Sequence, residues 1–278
     1  MIKINDKVFK PEYFPDGTMK LNYTPYNDIS KYNYFIIDWI FDDEKEMIEL
    51  YYLVNYLCNK YSNPTINLNM PYIPNARFDR TKNDREIFTL KFFAKFINDL
   101  HFNKVVVFDP HSHVSEALIN KIVIEQPLYE IIEAVKKITS TPKDLLLFFP
   151  DEGSTKRYED IIKIYSESPY AFGIKNRDWV TGEIKGLSVN GQIDQIKGRD
   201  VLIIDDICSK GGTFYYSAKN LKELGANKIY LYVSHCENTI YGGELLKDNG
   251  LIEKVFTTDS ILTDLTSHKI ELVKEWRK

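Results

Sequence analysis

Short apolar runs at residues 35–37, 105–108, 145–149, 201–204 and 229–233 constrain this chain more than any other feature. Each is strand-length, nearly unbroken and followed by turn residues, the pattern of strands covered on both faces. Between several of them lies helical spacing. Residues 44–61 place apolar side chains three or four apart behind an acidic start, and 86–100 and 213–224 repeat the pattern, the last stopped by Gly225. Residues 121–140 read as another helix, closed by Ser140, Thr141 and Pro142. Strand and helix in alternation predict an α/β fold with largely parallel sheets. A division near residue 125 gives two α/β halves, 1–125 and 126–259, with the tail 260–278 free to pack back on the first.

Charge and cysteine content narrow the function classes. The 278 residues carry 36 Lys+Arg against 40 Asp+Glu, a net charge of −4, which argues against a general nucleic-acid or membrane-surface binder. No apolar stretch approaches the roughly 20 residues of a membrane helix, and the first residues lack the apolar core of a signal peptide. Cys58, Cys208 and Cys236 are far apart with no CxxC pair, so neither a disulfide framework nor a zinc ribbon is expected. A reduced, cytoplasmic protein is the expectation.

Ligands of open α/β sheets bind beyond the C-terminal ends of the strands, so the residues just after each apolar run matter most. The strongest segment is 201–213, VLIIDDICSKGGT. Four apolar residues lead to Asp205 and Asp206, then to a loop of Ser209, Lys210, Gly211, Gly212 and Thr213, then to a helix. The glycines let backbone N–H groups converge on an anion at a helix N-terminus. The paired acids suit the vicinal hydroxyls of a ribose, or a hard cation. Neither GxxxxGK[ST] nor GxGxxG occurs, so a Walker A loop and a dinucleotide fold have no support.

This segment resembles the phosphoribosyl pyrophosphate (PRPP) motif shared by type I phosphoribosyltransferases and ribose-phosphate diphosphokinases. Four further segments come in the diphosphokinase order: FPDGT at 14–18, MPYIPNARFDR at 70–80, VVVFDPHSH at 105–113 and LFFPDEGSTKRY at 147–158. Lys175-Asn176-Arg177 resembles the base of that family's mobile catalytic loop, with 179–191 as a candidate lid. Over about residues 10–265 the chain is similar to the ribose-phosphate diphosphokinase (PRPP synthetase) family, which implies two phosphoribosyltransferase-like domains, each a mostly parallel sheet flanked by helices.

The resemblance also implies chemistry: the β,γ-diphosphate of ATP moves to the anomeric hydroxyl of ribose 5-phosphate, with Mg2+ required and AMP released. It gives Lys175 and Arg177 the catalytic role, neutralising charge once the loop closes. Phe14, Asp16, Arg77, Asp79 and Arg80 fall to ATP, His111 and Asp151 to the metal, and Asp205, Asp206 and residues 209–213 to the ribose phosphate. Taken alone, the two arginines read as an exposed salt-bridged turn and Asp151 as a helix cap. FPDGT reads equally as a plain turn; Thr18 stands where the family usually has Glu. The family's adenine segment reaches a neighbouring subunit, so a homo-oligomer, a dimer or one built of dimers, is expected.

One departure bears on the substrate. Where the family's loop usually reads Asp-Thr-Gly-Gly-Thr, this chain has Ser209-Lys210-Gly211-Gly212-Thr213, two formal charges more positive. That leaves two acceptors open: ribose 5-phosphate, or a ribose extended at its 5′ end such as ADP-ribose, which would place the protein in NAD-linked metabolism. A non-catalytic, synthetase-associated regulatory protein is the further alternative.

Overall fold

The computed structural model describes residues 1–23, 33–177, 184–248 and 250–278, without the side chains of 175–177 and 184–187. The chain divides into two compact units, Met1–Gln126 and Pro127–Lys278.

In the first unit β1 (Ile2–Ile4), β2 (Lys7–Phe9) and the small hairpin of β3 (Glu12–Tyr13) and β4 (Met19–Lys20) precede β5 (Tyr34–Trp39). Next come α1 (Glu46–Lys60), β6 (Thr65–Asn69), α2 (Thr89–Asp99), β7 (Lys104–Phe108), α3 (His113–Leu118) and β8 (Ile122–Glu125). The sheet order is β2-β1-β5-β6-β7-β8, with β5 through β8 parallel and β1 antiparallel to both its neighbours. Helix α1 buries Leu50, Leu53, Val54 and Leu57, one stripe at helical spacing, against the sheet.

The second unit contains α4 (Leu128–Ile138), β9 (Leu145–Phe149), α5 (Glu152–Arg157), α6 (Glu159–Ile164), β10 (Tyr170–Arg177) and β11 (Ile184–Gly191). It continues with β12 (Asp200–Cys208), α7 (Gly212–Glu223), β13 (Ile229–Cys236), β14 (Lys254–Thr258) and β15 (Ile270–Lys274). The order is β11-β10-β9-β12-β13-β14-β15, parallel except for β11. The unbroken apolar runs are explained by two cores. Leu146, Phe148, Val201 and Ile203 face one core with Phe214, Ala218 and Leu221 of α7. Leu145, Leu147, Phe149, Leu202 and Ile204 face the other, with Ile131, Ala134 and Val135 of α4. Alternate residues of one strand thus enter opposite layers.

Two expectations are corrected, and a third falls partly outside the described residues. The helix expected over 121–140 is a strand and a helix: Ile122, Val123 and Ile124 are β-branched and join β7, and Pro127 precedes α4. The tail 260–278 belongs to the second unit, where β15 is its edge strand beside β14. Of the candidate lid, 184–191 forms β11 against β10, while 178–183 lies outside the described residues.

Candidate active site

Strands β10, β9 and β12 are consecutive in the second sheet and end side by side. From β9 the chain proceeds outward to β10 and β11, whereas β12 leads away through β13, β14 and β15. The strand order therefore reverses between β9 and β12, and ligands of open α/β sheets bind in the crevice beyond such a reversal.

Each strand end carries chemistry. Beyond β9, Asp151 adopts extended backbone (φ −157°, ψ 172°) and caps α5. Its Oδ1 accepts from the Ser154 N–H at 3.0 Å and the Ser154 hydroxyl at 3.2 Å. Asp151, Ser154 and Arg157 recur every third residue and share a side of that turn. The Ser154 hydroxyl oxygen also lies 3.0 Å from Asp205 Oδ1 at the end of β12. Arg157 reaches the neighbouring Asp206 at 2.7 Å. One hydroxyl proton thus faces two carboxylate oxygens, and a guanidinium anchors the third acid. Burial, and next the charge of Asp206, push the Asp205 carboxyl well above the usual carboxylate range; Arg157 opposes the shift and Asp151 adds to it.

The acceptor-loop residues 209–213 come directly after β12. Ser209 is half-buried, Lys210 and Gly212 are exposed, and Gly211 is buried. Gly211 has φ +78° and forms the N-cap of α7, a left-handed conformation that suits glycine. Thr213 lies in the first turn of α7, whose backbone N–H groups have no acceptor within the helix. Lys175 and Arg177 lie at the end of β10 by backbone; their side chains are outside the described residues.

The first unit carries the other candidates. Arg77, Asp79 and Arg80 come after β6 in a turn where Ala76 N–H donates to the Ile73 carbonyl at 3.2 Å and Phe78 N–H to that of Asn75 at 2.9 Å. Arg77 and Arg80 are exposed, and Asp79 is 3.8 Å from Arg80. His111 is half-buried just beyond β7, after a buried Asp109 at φ +41°. His113, at the start of α3, faces Glu116 at 3.5 Å. Phe14 is exposed in the turn between β3 and β4. Asp16 holds that turn, accepting from the Thr18 N–H at 2.9 Å and hydroxyl at 2.7 Å, and these bonds lower its pKa.

The structure therefore gathers Asp151, Asp205, Asp206 and residues 209–213 at one crevice. It adds Ser154 and Arg157, which sequence reasoning passed over although the Asp-x-x-Ser-x-x-Arg spacing marks one helix side. Among the described residues no group of three or more His, Cys, Asp or Glu is arranged as a metal cluster, and no helix is long and apolar enough to cross a membrane.

No family model matches the chain. A ribose-phosphate pyrophosphokinase of Saccharolobus solfataricus is 26% identical over 236 residues, covering 84% of this chain and 77% of that protein. Another, of Sulfurisphaera tokodaii, is 25% identical over 266 residues, covering 95% and 86%. The fold is similar to that of phosphoribosylpyrophosphate synthetase from Mycobacterium smegmatis, with a TM-score of 0.75 at 16% identity over 96% of this chain and 86% of that one. In sequence the chain is thus similar to ribose-phosphate pyrophosphokinases over most of its length, and in fold, with two mostly parallel sheets, to a phosphoribosylpyrophosphate synthetase.

Proposed function

We propose that the protein transfers the β,γ-diphosphate of ATP to the anomeric hydroxyl of ribose 5-phosphate, giving PRPP and AMP. The observation that carries this reading is the joining of Asp151, Ser154, Arg157, Asp205 and Asp206 at the strand reversal, next to a glycine loop that opens α7. Vicinal sugar hydroxyls are natural donors to Asp205 and Asp206. The 5-phosphate suits the backbone N–H groups of 211–213 at the helix N-terminus. The nucleophile is the substrate's own hydroxyl, so the protein's task is to align it with the β-phosphorus and to stabilise charge. By resemblance, Arg77 and Arg80 are assigned to the triphosphate, with Asp79 beside them, and Phe14 and Asp16 to the adenine of a neighbouring subunit's ATP. Lys175 and Arg177 meet the transferring group when the loop closes.

Mg2+ is the fitting cofactor. The second-unit donors, Asp151, Asp205 and Asp206, offer oxygen only, with Asp206 already paired to the Arg157 guanidinium, and oxygen ligands suit a hard cation. Mg2+ is usually held by one or two carboxylates with phosphate oxygens and water completing its shell; Asp151 and His111 are the residues assigned to it. When bound it neutralises charge on the phosphate oxygens. A homo-oligomer, with Phe14 serving a neighbouring subunit, belongs to the same reading. Three free cysteines suit a reducing, cytoplasmic setting.

A second reading concerns the acceptor. Lys210 is exposed on the acceptor loop, and a further cation there favours a 5′-diphosphate, as in ADP-ribose, over a monophosphate. AMP release from ATP and Mg2+ with each acceptor in parallel separates the two. Turnover with ribose 5-phosphate alone supports the first reading and preference for ADP-ribose the second. No AMP with either would leave a non-catalytic, synthetase-associated role.

A further inference from the structure

Behind the acceptor loop, the segment after β13 packs against it at two points where only a missing side chain makes room. The 3-10 turn Asn238–Gly242 leads into Gly243, Glu244 and Leu245. A β-carbon placed on Gly243 would overlap the Lys210 carbonyl oxygen and stand 3.3 Å from that of Ile240. Reciprocally, a β-carbon on Gly211 would overlap the Leu245 side chain. Leu245 and Ile240 are fully buried.

The segment is braced from its far side. Asn238 Oδ1 accepts from the Thr263 and Asp264 N–H groups at 3.0 Å each, and its amide donates to the Thr263 hydroxyl at 2.6 Å. The Tyr241 hydroxyl donates to the Asp264 carbonyl at 2.9 Å, and the Glu237 N–H to that of Cys208 at 2.8 Å. The loop is thus held between α7 and a fixed turn. With the Lys210 carbonyl seated against Gly243 and Gly211 against Leu245, the seat fixes the loop backbone that carries the exposed Lys210 side chain and the N–H groups at 211–213.

We infer that Gly243 and Leu245 are positioning residues for the 5′-phosphate end of the acceptor, acting through Lys210 and Gly211. The inference rests on the proposed acceptor, so its test has one arm free of substrate. Gly243→Ala is compared with Gly242→Ala, the adjacent substitution whose β-carbon meets no atom within 4 Å. Backbone hydrogen exchange is measured over 209–214 in the ligand-free protein, and kinetics are measured with ribose 5-phosphate. Leu245→Ala, which truncates the side chain packed against Gly211 on the same loop, serves if Gly243→Ala does not fold.

The expected result is faster exchange in Gly243→Ala only, with KM for ribose 5-phosphate raised about tenfold while kcat and KM for ATP stay within about twofold. Unchanged exchange overturns the inference whatever the substrate. Faster exchange with an unmoved acceptor KM overturns the role in acceptor binding. Faster exchange in a protein whose unmutated form ignores ribose 5-phosphate supports the brace and rejects that acceptor.

Discussion

Arg157 and Asp206 form a 2.7 Å ion pair that ties α5, the helix after β9, to the end of β12, so the two strand ends flanking the reversal are joined by charge. The pair is largely buried, with Arg157 21% and Asp206 4% exposed by side chain. Removing one partner of a buried pair leaves the other charge uncompensated. Arg157→Ala therefore costs about 3 kcal/mol in urea unfolding, and Arg157→Ala/Asp206→Ala costs less than the sum of the single changes. Additive losses would place the stability elsewhere.

Lys175 stands at the end of β10, next to the β9–β12 crevice in strand order. If it acts on the transferring group, Lys175→Ala lowers kcat by about 10²- to 10³-fold and leaves KM for ATP within about threefold. Steady-state kinetics at saturating acceptor reads this directly. Equal losses in both constants would assign Lys175 to ground-state ATP binding.

Glu271 on β15 accepts from Lys137 Nζ of α4 at 2.5 Å and Lys254 Nζ of β14 at 2.7 Å, and these bonds lower its pKa. A carboxyl depressed in the folded state adds stability that is full above its unfolded value, near 4.5, and fades as pH falls through the folded value. Glu271→Gln is therefore less stable than the unmutated protein at neutral pH, and the two melting curves converge below about pH 4. A gap that persists in acid would show that packing, not charge, is lost.

The three thiols differ in reach. Cys58 is exposed, while Cys208 and Cys236 pair across β12 and β13 and are buried. The Cys236 hydrogen bond, and next burial, push the Cys208 thiol well up. A disulfide reagent in native buffer titrates one thiol per chain and all three in denaturant. Native loss of all three would mean that the β12–β13 end opens readily.

Much of the fold was legible because buried parallel strands leave unbroken apolar runs, as at 145–149 and 201–204, and glycine loops at their ends leave a chemical signature. Other parts leave weaker marks. Strand β8 alternates half-buried and exposed residues, and its β-branched run next to α4 mimics a longer helix. Strand β15 is half-buried throughout, so no periodicity marks it as the edge of the second sheet rather than a tail packed on the first half. At the site, Asp205, Asp206 and 209–213 could be read from spacing. The spacing puts Ser154 and Arg157 on the side of Asp151, but their meeting with Asp205 and Asp206 depends on β9 and β12 being sheet neighbours, with Ser154 and Asp205 51 residues apart in sequence. Asp16 shows the reverse: a motif position whose carboxylate is engaged by its own turn.

In the proposed reaction two phosphoryl groups leave ATP together for the anomeric oxygen of a ribose phosphate. ATP labelled at the γ-phosphate, incubated with Mg2+ and ribose 5-phosphate, tests it most directly when products are resolved by phosphorus NMR and chromatography. The expected products are AMP and a labelled sugar diphosphate in equal amounts, and neither forms when the anomeric hydroxyl is methylated. ADP with a singly phosphorylated sugar, or ATP breakdown indifferent to the sugar, would contradict it.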